Sequence, residues 1–228
     1  MPVVRCTVIE KQTIADSAYE QIKHDIIQLR LAPGKKLSEA TLSQKYNVSR
    51  APIRVALRRL QEDGLIEIRP QSGSIVCPIS IDRALNIIDV RLLLEPYAVK
   101  RAISHITDAD INYLNDMFLH LDQMELGSDE RSRYVSSVDI ELHSLLQTRC
   151  GNRVIPEIIN RYASEIQRIR RANIQWSNRM GPSEQEMRHI FAAIKLRDVK
   201  RTERAMVIHL QNIRTALSTL IDQNDAHQ

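Results

Sequence analysis

Apolar residues in the first third of the chain recur at helical spacing in three short runs. Over residues 16–29, Ala18, Ile22, Ile26 and Leu29 share one face, which predicts a first helix behind a loose arm at 1–15. Pro33-Gly34 breaks that segment, and Lys35, Lys36 and an apolar Leu37 follow. Ser38 can cap a short second helix over 39–46, with Leu42 inward. Ser49 suits the N-cap of a third helix, because its hydroxyl can accept from an unpaired backbone N–H. In that helix Pro52 fits the first turn, Ile53, Ala56, Leu57 and Leu60 form the buried stripe, and Gly64 stops it. Residues 65–68 and 74–77 read as two short strands around a turn at Pro70 and Gly73. Three helices and a hairpin, in that order over 16–78, describe a winged helix-turn-helix.

From Ile81 the apolar period stays helical to the end. It predicts helices at 81–104, 108–126, 131–149, 153–178, 183–197 and 198–221, punctuated by Asp108, Gly127, Gly151-Asn152 and Gly181-Pro182-Ser183. No internal repeat or low-complexity tract interrupts them. The expected fold is mainly α: a winged helix-turn-helix, then an all-α bundle of six or seven helices over 79–228.

Composition narrows the class. Apolar residues make up 43% of the 228-residue chain and charged residues 26%, while aromatic residues are only 4%, so the core must be aliphatic. No apolar run approaches the ~20 residues that span a bilayer, and the first residues lack the apolar stretch of a signal peptide. Cys6, Cys77 and Cys150 are too scattered for a paired metal motif and fit reduced thiols, which points to the cytoplasm. Residues 1–78 carry 12 Lys or Arg against 8 Asp or Glu, whereas 79–228 carry 20 of each. The whole net charge of +4 therefore lies on the segment with the third helix, as expected of a module drawn to a phosphate backbone.

Arg50, Arg54 and Arg58 stand at four-residue steps on one side of that helix, beside its apolar stripe. A helix N-terminus favours phosphate, and an arginine fork can read guanine in the major groove. An arginine stripe alone is more often a solvated face. The hairpin behind it and the helix before it reverse that balance.

The run from Pro33 to Val76, with Leu37-Ser38-Glu39, Val48-Ser49-Arg50, Pro52-Ile53-Arg54, Ala56-Leu57, Leu60, Gly64-Leu65-Ile66, Pro70 and Gly73, resembles the winged-helix domain of the GntR family of bacterial transcription regulators. The resemblance implies that Arg50 and Arg54 contact operator DNA and that the wing near Ser72 and Gly73 approaches the minor groove. With Lys35, Lys36, Ser49 and Arg58 they form the expected DNA-binding set. Ala40 and Val55 replace an arginine and a glutamate that some relatives carry, so base preference is expected to differ.

The second half is similar to the all-helical FCD effector domain of the FadR subgroup. The likeness rests on Arg91 with Glu95, Asp139 with His143, Gly151-Asn152, Ala193-Ile194, Asp198, Ala205-Met206 and His209. Asp139 and His143, four apart, project toward one point from within an apolar stripe, and His209 also lies on an apolar stripe. A carboxylate in a core is costly unless a partner or a metal compensates it. The resemblance implies that Asp139, His143 and His209 fill three of four metal positions and help hold a small carboxylate. The fourth falls on Met187, a poor ligand for the ions that imidazole and oxygen hold. His189 is two residues on and faces outward, so it does not replace Met187. A weakened zinc or nickel site and a metal-free hydrogen-bonded cluster both remain open. Arg91, and also Arg149, could supply a cation for an anionic effector, although an ion pair of Arg91 with Glu95 is the plainer role.

The leading expectation is a dimeric, effector-controlled regulator, a repressor, that binds double-stranded operator DNA and touches no membrane. The effector would meet Arg91, Asp139, His143, Met187 and His209. Two other readings are a metal-dependent hydrolase built on the Asp/His cluster, and a DNA-binding scaffold without an effector. The hydrolase lacks a general base near the cluster and leaves the first domain unexplained. A scaffold needs no acid and two histidines inside an apolar bundle.

Overall fold

A computed structural model describes residues 13–69, 73–176 and 179–225. Its internal contacts divide the chain into Met1–Pro78 and Ile79–Gln228.

In the first unit, α1 spans Ile14–Ile27, β1 Lys36–Leu37, α2 Glu39–Tyr46, α3 Arg50–Glu62, β2 Ile66–Arg69 and β3 Gly73–Val76. α1 begins two residues before the predicted start because Thr13 and Asp16 make a capping box, each side chain taking the other's backbone N–H. Its end also comes early, since Leu29 takes a left-handed conformation (φ 57°) ahead of Pro33. The arm predicted at 1–15 thus loses its last two residues to the helix, and 1–12 lie outside the described residues.

The hairpin is a three-stranded antiparallel sheet in the order β1-β3-β2, with Leu37 opposite Ser74 and Ile68 also opposite Ser74 from the other side. Two residues are too few to betray β1 by alternation, so only pairing with β3 reveals it. Gly73 opens β3 at φ +85°, and a Cβ there would lie 3.4 Å from the Leu37 carbonyl. Ile22, Ile26, Leu42, Ile53, Leu60 and Leu65 fill the core. Asp25 ties α1 to α2 by accepting from Lys45 (2.6 Å) and Tyr46 (2.8 Å).

The second unit holds α4 Ile81–Ala102, α5 Asp108–Gln123, α6 Asp129–Arg149, α7 Val154–Asn160, α8 Ala163–Trp176, α9 Met180–Lys195 and α10 Val199–Asp225. α6 is the hub, packing against α4, α5, α7, α8 and α9, while α10 lies along α4 and α9. Most helix ends shift by a few residues from the periodicity, and three of the departures have a visible local cause. The stretch 153–178 is two helices, because Tyr162 N–H bonds to the nearer Ile159 carbonyl (3.0 Å) and tightens the turn. Neither Gly nor Pro marks that break. α9 starts at Met180, with Gly181-Pro182 inside its first turn, where the missing proline N–H costs no bond. α6 starts at Asp129 because Ser128 caps it, accepting from Arg131 N–H.

Candidate functional site

The predicted DNA-facing residues lie at the surface of the first unit. Lys35, Lys36, Ser49, Arg50, Arg54, Arg58 and Gly73 are all exposed; Ser72 lies outside the described residues. Ile53, Ala56, Leu57 and Leu60 bury the opposite face of α3. Ser49 stands at the N-cap with extended backbone, yet its hydroxyl makes no capping bond. Thr13, Ser38, Ser80, Thr107 and Ser128 each cap their own helices. Lys35, Lys36, Arg50 and Arg58 form no ion pair among the described residues. Arg54 differs, donating through Nε and Nη2 to the Glu39 carboxylate, both at 2.9 Å. Arg59, by contrast, is structural: it stacks 4.1 Å from the Tyr19 ring centroid and pairs with Asp16.

The second unit brings Asp139 and His143 on α6 to His209 on α10, their ligand atoms all within 4.8 Å of one another. All three are buried. Asp139 Oδ1 lies 3.3 Å from His143 Nε2 and 3.2 Å from His209 Nε2. The opposite ring nitrogens meet carboxylates: His143 Nδ1 contacts Glu95 on α4, and His209 Nδ1 lies 2.9 Å from Glu186 on α9. A carboxylate accepts, so each Nδ1 donates to its own glutamate, and each Nε2 faces the Asp139 carboxylate. Carboxylates that hold ligating imidazoles in this way raise their basicity and fix their tautomer.

Glu95 and Glu186 were not legible as partners of the histidines. Spacing alone joins Glu95 to Arg91, and that pair does form at 2.6 Å in full burial. Arg91 Nη2 also reaches 3.3 Å from His143 Nδ1. Glu186 in turn accepts from Arg179 (2.6 Å) and Asn212 (2.8 Å). The further surprise is Arg170 on α8, whose Nε pairs with Asp139 Oδ2. Charged positions in the α8 sequence suggest a solvated face, and only packing against α6 turns Arg170 inward. Arg149, the other suggested cation, instead pairs with Asp110 at the surface (2.7 Å).

These contacts set the charges. Burial works against the Asp139 carboxylate, but Arg170 and then His143 and His209 hold its pKa well below the ordinary value. Glu95 follows the same pattern, with burial outweighed by Arg91 and His143. Burial opposes a charge on His209, yet the Asp139 and Glu186 carboxylates beside it raise its pKa overall.

Both Asp139 oxygens and His209 Nε2 are buried and make no well-aligned hydrogen bond among the described residues, although ion-pair distances surround them. Two imidazoles and a carboxylate that converge on one point are a donor set that suits a divalent ion, with the Arg170 cation already paired to Asp139 Oδ2. Met187 is fully buried in the wall of the adjoining cavity, and His189 is exposed. That cavity is about 20 Å³, room for one water or an ion. A larger one of about 150 Å³ lies between α4, α7 and α8, with Arg91, Arg83, Asn86 and Tyr162 among aliphatic side chains in its wall. No helix of the described residues is long and apolar enough to cross a membrane.

Comparison with known proteins now applies to both units. Residues 14–76 match the model of the bacterial regulatory proteins of the gntR family, and 86–212 match the FCD domain. The transcriptional repressor RspR of Escherichia coli K12 is 31% identical over 216 residues, covering 93% of this chain and 92% of that one. The fold matches E. coli McbR/YncC at TM-score 0.74 and 18% identity, covering 92% and 99% of the two chains. A GntR-type regulator from Rhodococcus sp. RHA1 matches at the same score, covering 90% and 97%. None of this supports a hydrolase. The first unit's winged helix and the second unit's bundle thus have one explanation: the chain belongs to the GntR family of bacterial transcription regulators, with an FCD domain behind its DNA-binding domain, and is not an enzyme.

Proposed function

We propose that this chain is a dimeric repressor of the FadR subgroup whose operator affinity is controlled by a small anionic metabolite bound in the FCD domain. The observation that carries this reading is the buried Asp139–His143–His209 cluster, its imidazoles oriented by Glu95 and Glu186. A domain that served only as a scaffold would gain nothing from burying so many ionisable groups. Repression is supported by the name of the RspR relative.

Lys35, Lys36, Arg50 and Arg58 would neutralise phosphates, Arg54 would read a base, and the wing at Gly73 would enter the minor groove. Asp139, His143 and His209 would hold a divalent ion such as zinc or nickel, which supplies positive charge for a carboxylate. Met187 in the remaining position weakens that site, and so does the Arg170 cation already paired with Asp139. Arg91 links the cluster to the larger cavity, so an anion entering there can pull it from Glu95 and disturb the network around His143. A ligand that redistributes buried ion pairs binds two arrangements unequally, and this difference is what shifts an equilibrium.

The test is a thermal-shift screen of carboxylates with and without zinc or nickel, followed by DNA-binding titrations with each hit. A carboxylate that raises the melting temperature and weakens operator binding is expected. One that binds and leaves DNA affinity unchanged would remove the cluster from regulation. Sedimentation of the full chain at micromolar concentration should give a dimer.

A further inference from the structure

Among the exposed cations of the first unit, Arg54 is held in a fork. Its Nε and Nη2 donate to separate oxygens of Glu39, both at 2.9 Å, so the side edge of the guanidinium is occupied. The end edge, Nη1 and the second N–H of Nη2, remains available. Guanine presents N7 and O6 to a pair of parallel N–H groups in the major groove, and an end edge supplies such a pair. We propose that Glu39 is a specificity-determining residue that buttresses Arg54, so that its end edge is offered to a guanine instead of to a phosphate.

Three observations support this, and the proposal rests on Arg54 facing DNA. Glu39 is itself fixed in place, since it opens α2 directly after Ser38, whose hydroxyl caps the helix by accepting from Thr41 N–H (3.1 Å). The pair is exposed, with 60% of the Arg54 and 32% of the Glu39 side chain accessible. An exposed ion pair adds little to folding, so stability does not account for a carboxylate on the face turned to a polyanion. Arg50 and Arg58 flank Arg54 on the same helix and have no hydrogen-bonded carboxylate among the described residues, although Arg50 lies near enough to Glu39 to favour its charge. The neighbours are free to follow phosphates, which position a protein without reading sequence. A carboxylate behind Arg54 both removes torsional freedom before binding and repels phosphate from that fork.

An operator selected by the wild-type chain from a random duplex library provides the probe. Anisotropy titrations then compare wild type, Glu39→Gln, Arg54→Ala and the double variant. The duplexes are that operator, the same operator with each G·C pair replaced in turn, and random DNA. Glu39→Gln should bind random DNA several-fold more tightly and lower the operator-to-random ratio on the order of tenfold. It should also lose the penalty for one particular G·C replacement, the same one lost in Arg54→Ala, and the double variant should match Arg54→Ala. Separately, the Arg54 Nε–H resonance of the free wild-type protein should be slow to exchange and move in Glu39→Gln, whose melting temperature checks folding. If Glu39→Gln shifts operator and random DNA by the same factor while Arg54→Ala destroys the ratio, Glu39 is only a surface charge and the proposal falls. If Arg54→Ala leaves the ratio intact, the assignment of Arg54 to a base fails, and the buttress fails with it.

Discussion

The two units treat arginine in opposite ways. On α3, Arg50, Arg54 and Arg58 stand in solvent, and of the three Arg54 alone has an ion-pair partner among the described residues. In the helical unit Arg91 is buried and the Arg170 side chain nearly so, each against a carboxylate that also touches a histidine. An exposed cation needs no partner, because water solvates it until a polyanion arrives. A buried one must be neutralised in place, since uncompensated burial costs several kcal/mol. The first arrangement suits a surface that captures DNA and lets it go. The second suits a network that a small charge, such as an anion or an ion, can rearrange.

The contrast is broken most severely inside the bundle. Arg91→Met would leave Glu95 buried without its main counter-charge and should cost about 3–5 kcal/mol in denaturant unfolding of the protein. A loss below about 1 kcal/mol would mean that His143 alone suffices for Glu95. Next in size, Met187→His should raise zinc or nickel affinity roughly 10–100-fold by titration calorimetry, while His189→Ala leaves it unchanged. Abolition by His189→Ala would move the ligand position to that outer residue. On the DNA side, Lys36→Ala should weaken operator and random DNA alike and reduce the salt slope by about one. A change in sequence preference would instead make Lys36 a base contact.

The smallest effect concerns acid. Bonds from the Thr13 hydroxyl and backbone N–H, and then Arg59, hold the Asp16 carboxyl down to about 2. Its folded pKa lies below the unfolded one, so its contribution is complete above the ordinary carboxylate range and is lost as pH falls toward about 2. Asp16→Asn should remove that dependence from the helix signal of the first unit in an acid titration followed by circular dichroism. An unchanged acid limb in the variant would assign it to other carboxylates.

Legibility in the sequence also divides between the units. The winged helix was readable because its cues are local: Ser38 and Ser49 before helices, Gly64 after one, and an exposed arginine stripe beside an apolar one. These depend on backbone preference and spacing within a dozen residues. The early start of α1 and the missing β1 arise where a capping box or a strand pairing uses few residues. In the bundle, periodicity located Asp139, His143, Met187 and His209 on inward faces and His189 on an outward one. It did not reveal that α7 and α8 part at Tyr162, since the apolar period runs on across a single tightened turn.

What the sequence by itself determined was which faces are apolar, where helices begin and end to within a few residues, and which family motifs sit on them. Only the tertiary structure decided which charged groups meet. Glu95 reaches across from α4 to His143, Glu186 from α9 to His209, and Arg170 from α8 to Asp139. These contacts span 48, 23 and 31 positions in turn, each between one helix and another. Periodicity reports the direction of a side chain about its own helix axis. The partner at the other end depends on how helices cross and slide, which is set by packing of the whole core.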